Sequence, residues 1–564
     1  MRWNLIPEPE SAAVNQLSKD LDGLQPLLTK LLIQRGIDDY EKAKQFFRPN
    51  LKHLHDPFLM KDMTKAVERI LQAIDHQEEI IIYGDYDVDG TCSVSMTYSF
   101  LKKIYPKVQT YIPDRYKEGY GISKQGIDYA AEQKATLIVA LDCGIKAKDN
   151  IDYANKVGVD FIICDHHLPD EQVPKAVAVL DPKQQDCKYP FKELCGCGVG
   201  FKLLQALAQR MQLPENEVYE LLDFVAVAIC ADIVPITGEN RILTHFGLRK
   251  INEQPRPGFK ALLQSLKRKV DVSEVVFVIA PRINAAGRMH HAEIAVNLLT
   301  ASEDEVALAV AKQIEILNTD RRDTDQRITD EALQMIQELG DEKAFTSVVY
   351  ASHWHKGVIG IVASRLIETY YRPTLVFTDS GDVLAASARS VKGFDIYKAI
   401  EQCKEHLIQF GGHKYAAGLT LRKEKYPDFK MHFEQVVQNQ IDRALLVPEL
   451  KIDLKIKPIE IETKTLRLLN KFGPFGPGNM RPVFLSENVE VIEKRLIGKE
   501  EQHLKFFINN GTSKTLEVIG FNMAEQAQNI QQGDLVHMVY NITENNWNGN
   551  SSIQLKLKDV QKAN

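Results

Sequence analysis

The chain has 564 residues, the length of about three or four domains rather than of one ordinary core. Its 44% apolar and 26% charged content points to a soluble globular protein, and MRWNLIPEPESAAV lacks the basic-then-apolar order of a secretion signal. The net charge of −6 advertises no nucleic acid, although a local field can hide within a global balance, and eight cysteines without a secretion signal read as free thiols of a cytoplasmic protein.

Residues 1–70 read as an N-terminal helical segment. From about 75 to 235, short apolar runs alternate with helical periodicity, which predicts a parallel sheet wrapped by helices. EEIIIYG, VQTYIP, ATLIVALD, VDFIICD and KAVAVLD are the strands; TCSVSMTYSFLKKI, SKQGIDYAAEQ, KDNIDYANKVG and GFKLLQALAQRM are the helices. LIVAL and FIIC are apolar on both faces, as strands covered on both sides must be. Cys195 and Cys197 in LCGCGVG have neither zinc spacing nor a matching pair, and read as small buried residues. LLDFVAVAICADIVPI is broken by Asp223 and Asp232 and falls short of a membrane span. A charged run without Gly or Pro, EVALAVAKQIEILNTDRRDTDQRITDEALQMIQEL, predicts a long, solvent-bathed connecting helix. A second α/β unit opens at TSVVYAS and carries a glycine cluster in QFGGHKYAAGLTL. Beyond KFGPFGPGNMRP, five alternating segments from NVEVIEKRLI to SIQLKLKDV fit a small closed barrel.

Ligands collect at the carboxyl ends of strands in such sheets, and this chain places its polar residues there. Asp85, Asp87 and Asp89 follow the first strand, Asp142 the third, and Asp165, His166 and His167 the fourth. The opening D-x-D-x-D-G suggests a calcium loop, but position twelve is Met96 and a strand precedes it where a helix is needed. Carboxylates with imidazole and no thiolate suit magnesium or manganese, and two such ions clamp a phosphoryl group for hydrolysis. Each piece alone has a structural reading: Asp89 or Thr91 capping a helix, LDCG as a turn, Asp165-His166-His167 as a hydrogen-bonded turn. Asp232, inside an apolar run, is hardest to excuse that way, because a buried carboxylate without a partner costs several kcal/mol.

Taken in order, GDYDVDGT, LDCG, CDHH and ICADIVP resemble the DHH phosphoesterase superfamily. IPDRYKEGYG, PRINAAGRM, GVIGIVASR, ASARS and GGHKYAAG extend the likeness, over nearly the whole chain, to its branch of single-strand-specific exonucleases. The resemblance implies an α/β fold: a parallel-sheet DHH domain at 71–300, a connecting helix at 301–340, a second α/β domain of DHHA1 type at 341–445, and an OB-type β-barrel at 446–564. It implies a 5′-to-3′ exonuclease on single-stranded DNA that releases 5′-mononucleotides by two-metal hydrolysis, in repair and recombination, with two Mn2+ or Mg2+ ions. A single-strand-binding protein and a RecQ-type helicase are the implied partners, and a monomer the expected state. A short-substrate phosphodiesterase on the same ligands, or a scaffold with a dead metal site, are the competing readings; the barrel and the intact ligand positions speak against them.

Carried over by position, Asp87, Asp89, Asp142, His166 and Asp232 are the metal ligands, with Asp142 bridging the ions and Asp85 outside the set. His167 lies beside the reacting phosphate, and Asp165 fixes an imidazole. The family's histidine four residues before Asp87 is here Tyr83. Arg115, Arg282, Arg288 and Asn284 are expected on the DNA backbone, and Ser387, Arg389, Gly412 and His413 at the 5′ end. Gly357 and Gly360 read as either anion-approach or turn residues, and Lys505, Phe506 and Trp547 as either strand-following or core residues.

Overall fold

The computed structural model describes residues 1–512, 514–547 and 550–563; the side chains of 546–550, and with them the expectation for Trp547, lie outside that description. Five strands, β1 (Glu79–Gly84), β2 (Val108–Tyr111), β3 (Ala135–Leu141), β4 (Asp160–Cys164) and β5 (Ala178–Leu180), form an all-parallel sheet in the order β2-β1-β3-β4-β5. Side chains alternate between two cores: Ile80, Ile82, Val139 and Ile162 face one, Ile81, Tyr83, Ile138 and Ile163 the other. Helices α1 (Val88–Ile104), α2 (Gly196–Arg210) and α3 (Leu222–Ala231) pack in the larger core, so that the carboxyl ends of β1, β3 and β4 meet the amino ends of α1 and α2.

Helix α4 (Ala280–Met289) leads by way of a short helix to α5 (Asp304–Glu338), which is 35 residues long. Its first half buries Ala307, Ala311 and Ile314 in the first domain, and its second half buries Ile328, Ala332 and Ile336 against the next. The charged middle is therefore not simply bathed in solvent. Asp325 is fully buried there, 2.9 Å from Arg321 and 2.7 Å from Arg365 of α6 (Ile359–Thr369).

The second domain is a mixed sheet of β6 (Ser347–Tyr350), β7 (Thr374–Ser380), β8 (Val383–Arg389), β9 (Leu407–His413) and β10 (Ala416–Arg422), in the order β9-β10-β8-β7-β6. Only β6 and β7 run parallel. The last five strands, β11 (Phe484–Ile497), β12 (His503–Asn509), β13 (Thr515–Gly520), β14 (Leu535–Trp547) and β15 (Asn550–Lys562), close as β11-β12-β13-β15-β14-β11. With β13 and β15 parallel and the circuit complete, no long edge is left open among the described residues, which is the barrel arrangement of an OB fold.

The N-terminal helices have no core of their own. Leu17, Leu28, Leu31 and Leu32 pack into the barrel core, and Arg2–Leu5 pairs in parallel with Glu449–Ile452. Among the described residues no helix is long and apolar enough to cross a membrane.

Candidate active site

Strand β1 ends in Gly84 and the chain turns at once into α1, whose first turn is capped by Asp87: its Oδ1 accepts the Gly90 N–H at 3.0 Å. The cap is thus Asp87, not Asp89 or Thr91, and capping leaves its second oxygen free for other work. Asp89 points inward instead, where its two oxygens accept the Gly196 and Cys197 N–H groups, each at 2.7 Å, at the amino end of α2. Asp142 follows β3 in a left-handed conformation (φ +60°) that a non-glycine residue adopts only where its surroundings hold it. Gly196 provides the space, since a Cβ there would lie 2.5 Å from that of Asp142. Asp232 ends α3, and because the helix stops at Ala231 its side chain is 28% exposed rather than lost in the apolar run.

These segments converge. His166 Nε2 lies 3.2 Å from Asp142 Oδ1, 3.6 Å from Asp232 Oδ2 and 3.9 Å from Asp89 Oδ2. Ligand atoms of Asp89, His166 and Asp232 lie within 4.8 Å of one another, and so do those of Asp85, Asp87 and Asp142. Asp142 stands next to both groups. Asp85 is accordingly placed among the ligand candidates, not outside them as its position in the motif suggested.

The electrostatics favour bound cations. Burial and the neighbouring Asp87 push the Asp89 carboxyl up to about 7, and burial with Asp89 and Asp87 pushes Asp232 up to about 8. Asp85 and Asp142 are also raised well above the usual carboxylate range, first by burial and then by adjacent aspartates. His166 is driven down to about 3 by burial and by His167, so it presents neutral nitrogens. Among the described residues, both oxygens of Asp85, Oδ1 of Asp142 and both ring nitrogens of His166 are buried without a hydrogen-bond partner. The carboxylate oxygens and one imidazole nitrogen of this group are expensive to bury unless cations take them up, and an O/N donor set fits manganese or magnesium.

Asp165 is satisfied on its own account. It accepts the His166 and His167 N–H groups, the Ile145 N–H at 2.9 Å and His167 Nδ1 at 2.7 Å. Burial opposes charge on it, yet the His167 contact carries it down to about 2; the reciprocal contact lifts His167 to about 9 against the effect of its own burial. Tyr83 faces the opposite core and spends its hydroxyl on the loop beneath, donating to Gly121 O at 2.9 Å and accepting from Ser123 N–H at 3.1 Å.

A cationic wall stands beside the carboxylates. Arg115 lies 4.6 Å over the Tyr86 ring, and Arg288 is pushed down to about 10 by burial and by the charges of Arg115, Arg389 and Arg321. Asn284 and Arg288 share a face of α4 at i and i+4. Arg389 donates to Ser387 Oγ at 3.1 Å on β8. His413 stands exposed at the end of β9, and partial burial, Arg389 and His167 together disfavour its charge. Gly412 precedes it in the same strand.

Four candidates are used elsewhere. Arg282 is paired with Glu315 of α5 at 2.6 Å. Gly357 is pressed against Tyr116 and the Arg288 carbonyl, so its missing side chain serves domain contact rather than anion approach. Phe506 belongs to the barrel core and Lys505 pairs with Glu517 at 2.7 Å. Sequence reasoning missed Gly196 and Cys197, whose backbone holds Asp89; the signal was three glycines at alternate positions, 196, 198 and 200, where a helix begins. It also missed Arg321, hidden in the charge of the long helix.

Comparison with known proteins agrees with this geometry. Residues 79–229 match the DHH family N-terminal domain, 341–439 the DHHA1 domain, and 452–559 the RecJ OB domain. The chain is 38% identical over 566 residues to the single-stranded-DNA-specific exonuclease RecJ of Bacillus subtilis, covering 99% of this chain and 71% of that protein. It is 32% identical over 560 residues to RecJ of Escherichia coli, covering 95% and 96%. The crystal structure of RecJ with Mn2+ from Thermus thermophilus superposes with a TM-score of 0.87 at 27% identity, covering all of this chain and 80% of that one. A Mg2+ complex of the same protein superposes at 0.80, covering 100% and 79%. Three domain matches in sequence order, with identity sustained from end to end, mean that the chain belongs to the RecJ family of single-stranded-DNA-specific exonucleases.

Proposed function

We propose that the protein degrades single-stranded DNA from its 5′ end, releasing 5′-mononucleotides in repair and recombination. The observation that carries this reading is the cluster of Asp85, Asp87, Asp89, Asp142, His166 and Asp232 at one sheet edge, with its orphaned donor atoms, beside a cationic wall to which the DHH domain gives Arg115 and Arg288 and the second domain Arg389.

In this reading Asp89, His166 and Asp232 would hold one divalent ion and Asp85 and Asp87 the other, with Asp142 beside both groups. Two such ions supply Lewis acidity at the phosphoryl oxygens and a more acidic water at neutral pH. The residues supply the rest. Arg115, Arg288 and Arg389 bind phosphate oxygens through paired N–H groups, and Ser387, Gly412 and His413 receive the terminal phosphate. Asn284 holds the neighbouring backbone. That fixes the first internucleotide phosphorus against the carboxylates. Water adds to it in line, and the P–O3′ bond of the terminal nucleotide breaks. His167, oriented by Asp165 at 2.7 Å, stands beside that phosphate as the group placed to pass a proton between the water and the leaving oxygen. A single-strand-binding protein or a RecQ-type helicase in the cytoplasm supplies the substrate strand, and the enzyme works as a monomer.

The test is a long single strand labelled at either end, with Mn2+, digested by wild type and by Asp142→Ala. Wild type is expected to release a labelled mononucleotide from the 5′ end at once. The variant is expected to be slower by at least about a hundredfold, having lost the residue shared by both groups. First release from the 3′ end overturns the polarity, and an unimpaired variant overturns the metal assignment.

A further inference from the structure

A second convergence of metal-ligating atoms lies apart from this site, in the DHHA1 domain. The turn Lys404–His406 leads into β9, and α7 (Tyr426–Gln440) packs behind it. Across that junction His406 Nε2 lies 3.3 Å from His432 Nδ1, His432 Nδ1 lies 3.1 Å from Glu405 Oε1, and His406 Nε2 lies 3.7 Å from the same oxygen. We propose that Glu405, His406 and His432 form a zinc site distinct from the catalytic ions.

The shape of the triangle supports it. Tetrahedral zinc sits about 2.0–2.1 Å from imidazole nitrogen and carboxylate oxygen, which places ligand atoms about 3.3 Å apart. The observed edges scatter around that length, and a point about 2.0–2.1 Å from all three atoms lies just out of their plane. Two imidazoles with one carboxylate select zinc over the magnesium and manganese that suit the carboxylate-rich site. Glu405 is 58% exposed, leaving the outer side open to ion entry and to a water as fourth ligand.

The location gives the ion a purpose. Strand β9 is an edge strand, paired on one side only by β10 and irregular in register between Leu407 and Gln409. It carries Gly412 and His413 at its far end. Zinc would tie the start of this strand to α7, bracing the arm that faces the catalytic carboxylates.

The experiment uses the full-length protein, stripped with chelator, given excess Mn2+ and then graded Zn2+, and desalted before elemental analysis. Wild type is expected to retain about one equivalent of zinc, and to do so equally in an Asp142→Asn background. His406→Gln/His432→Gln is expected to lose that equivalent while keeping the Mn2+-dependent nuclease turnover of zinc-free wild type. Glu405→Gln, at an exposed position that tolerates substitution, is expected to weaken zinc binding tenfold or more. Co2+ in place of zinc should give the visible absorption of a tetrahedral site in wild type and not in the double variant. Equal zinc retention by wild type and the double variant, or an unaltered zinc affinity in Glu405→Gln, overturns the proposal.

Discussion

Asp85 differs from the other aspartates of its motif in having nothing to do within the protein. Asp87 caps α1 and Asp89 is held by two backbone N–H groups, whereas both Asp85 oxygens are buried without a partner. Its charge is therefore a burden that only a cation relieves, and this gives a prediction with opposite signs. In chelator, Asp85→Asn should melt at or above the wild-type temperature, because a buried carboxyl raised well above its usual range is replaced by a neutral amide. With Mn2+, the same variant should gain less in melting temperature than wild type and turn over about 10–100-fold more slowly. A variant destabilised in chelator would show that Asp85 is structural instead. Alternating aspartates are equally good turn formers and ligands, so the motif alone could not rank the three. What separates them is which backbone groups face each carboxylate, and those that face Asp89 come from a segment about a hundred residues away.

At the scale of elements, the amino end of α2 acts on the site chiefly through its backbone. Gly196 admits the helix against Asp142, and the first N–H groups hold Asp89. Gly196→Ala is expected to force Asp142 or the helix to shift, at about 1–3 kcal/mol in chemical denaturation and with most Mn2+-dependent turnover lost. Wild-type turnover in that variant would show that the close approach is dispensable. The strands and helices of the parallel sheet were readable from apolar runs and helical periodicity, and so were the strand ends that carry Asp142 and His166. LCGCG was not, because small residues look alike whether they fill a core or make way for a helix end. Arg282 failed in the opposite way: a guanidinium near the site in sequence is diverted to Glu315, a partner 33 residues on. Tyr83 likewise serves the loop at Gly121 and Ser123, a contact that no local pattern announces.

Over the whole molecule, the barrel is joined to the DHH domain by more than the chain that runs through the DHHA1 domain. Arg241, on the helix Gly238–Glu253, is buried without an acidic partner among its hydrogen bonds. Its guanidinium donates to the carbonyls of Phe46, Phe472 and Gly473 at 2.9–3.0 Å and lies 3.8 Å over the Phe46 ring. One side chain thus gathers the DHH domain, the N-terminal helices and the loop before the barrel. Arg241→Ala should cost about 3 kcal/mol, because it strands several buried carbonyls, and should expose residues 472–480 to limited proteolysis. Arg241→Lys should recover only part of this, since an ammonium lacks the planar fork. A wild-type digestion pattern in Arg241→Ala would remove the residue from the joint.

The pairing of Arg2–Leu5 with Glu449–Ile452, and the burial of Leu17 to Leu32 in the barrel core, also bears on how the molecule is made. The DHH core, drawn from residues 60–314, can close while the rest of the chain is still being synthesised. The first helices cannot, because their partners lie more than four hundred residues downstream, and pairings of that separation form slowly. Their apolar faces must stay uncovered until the barrel emerges, which makes the earliest residues of the chain among the last to fold.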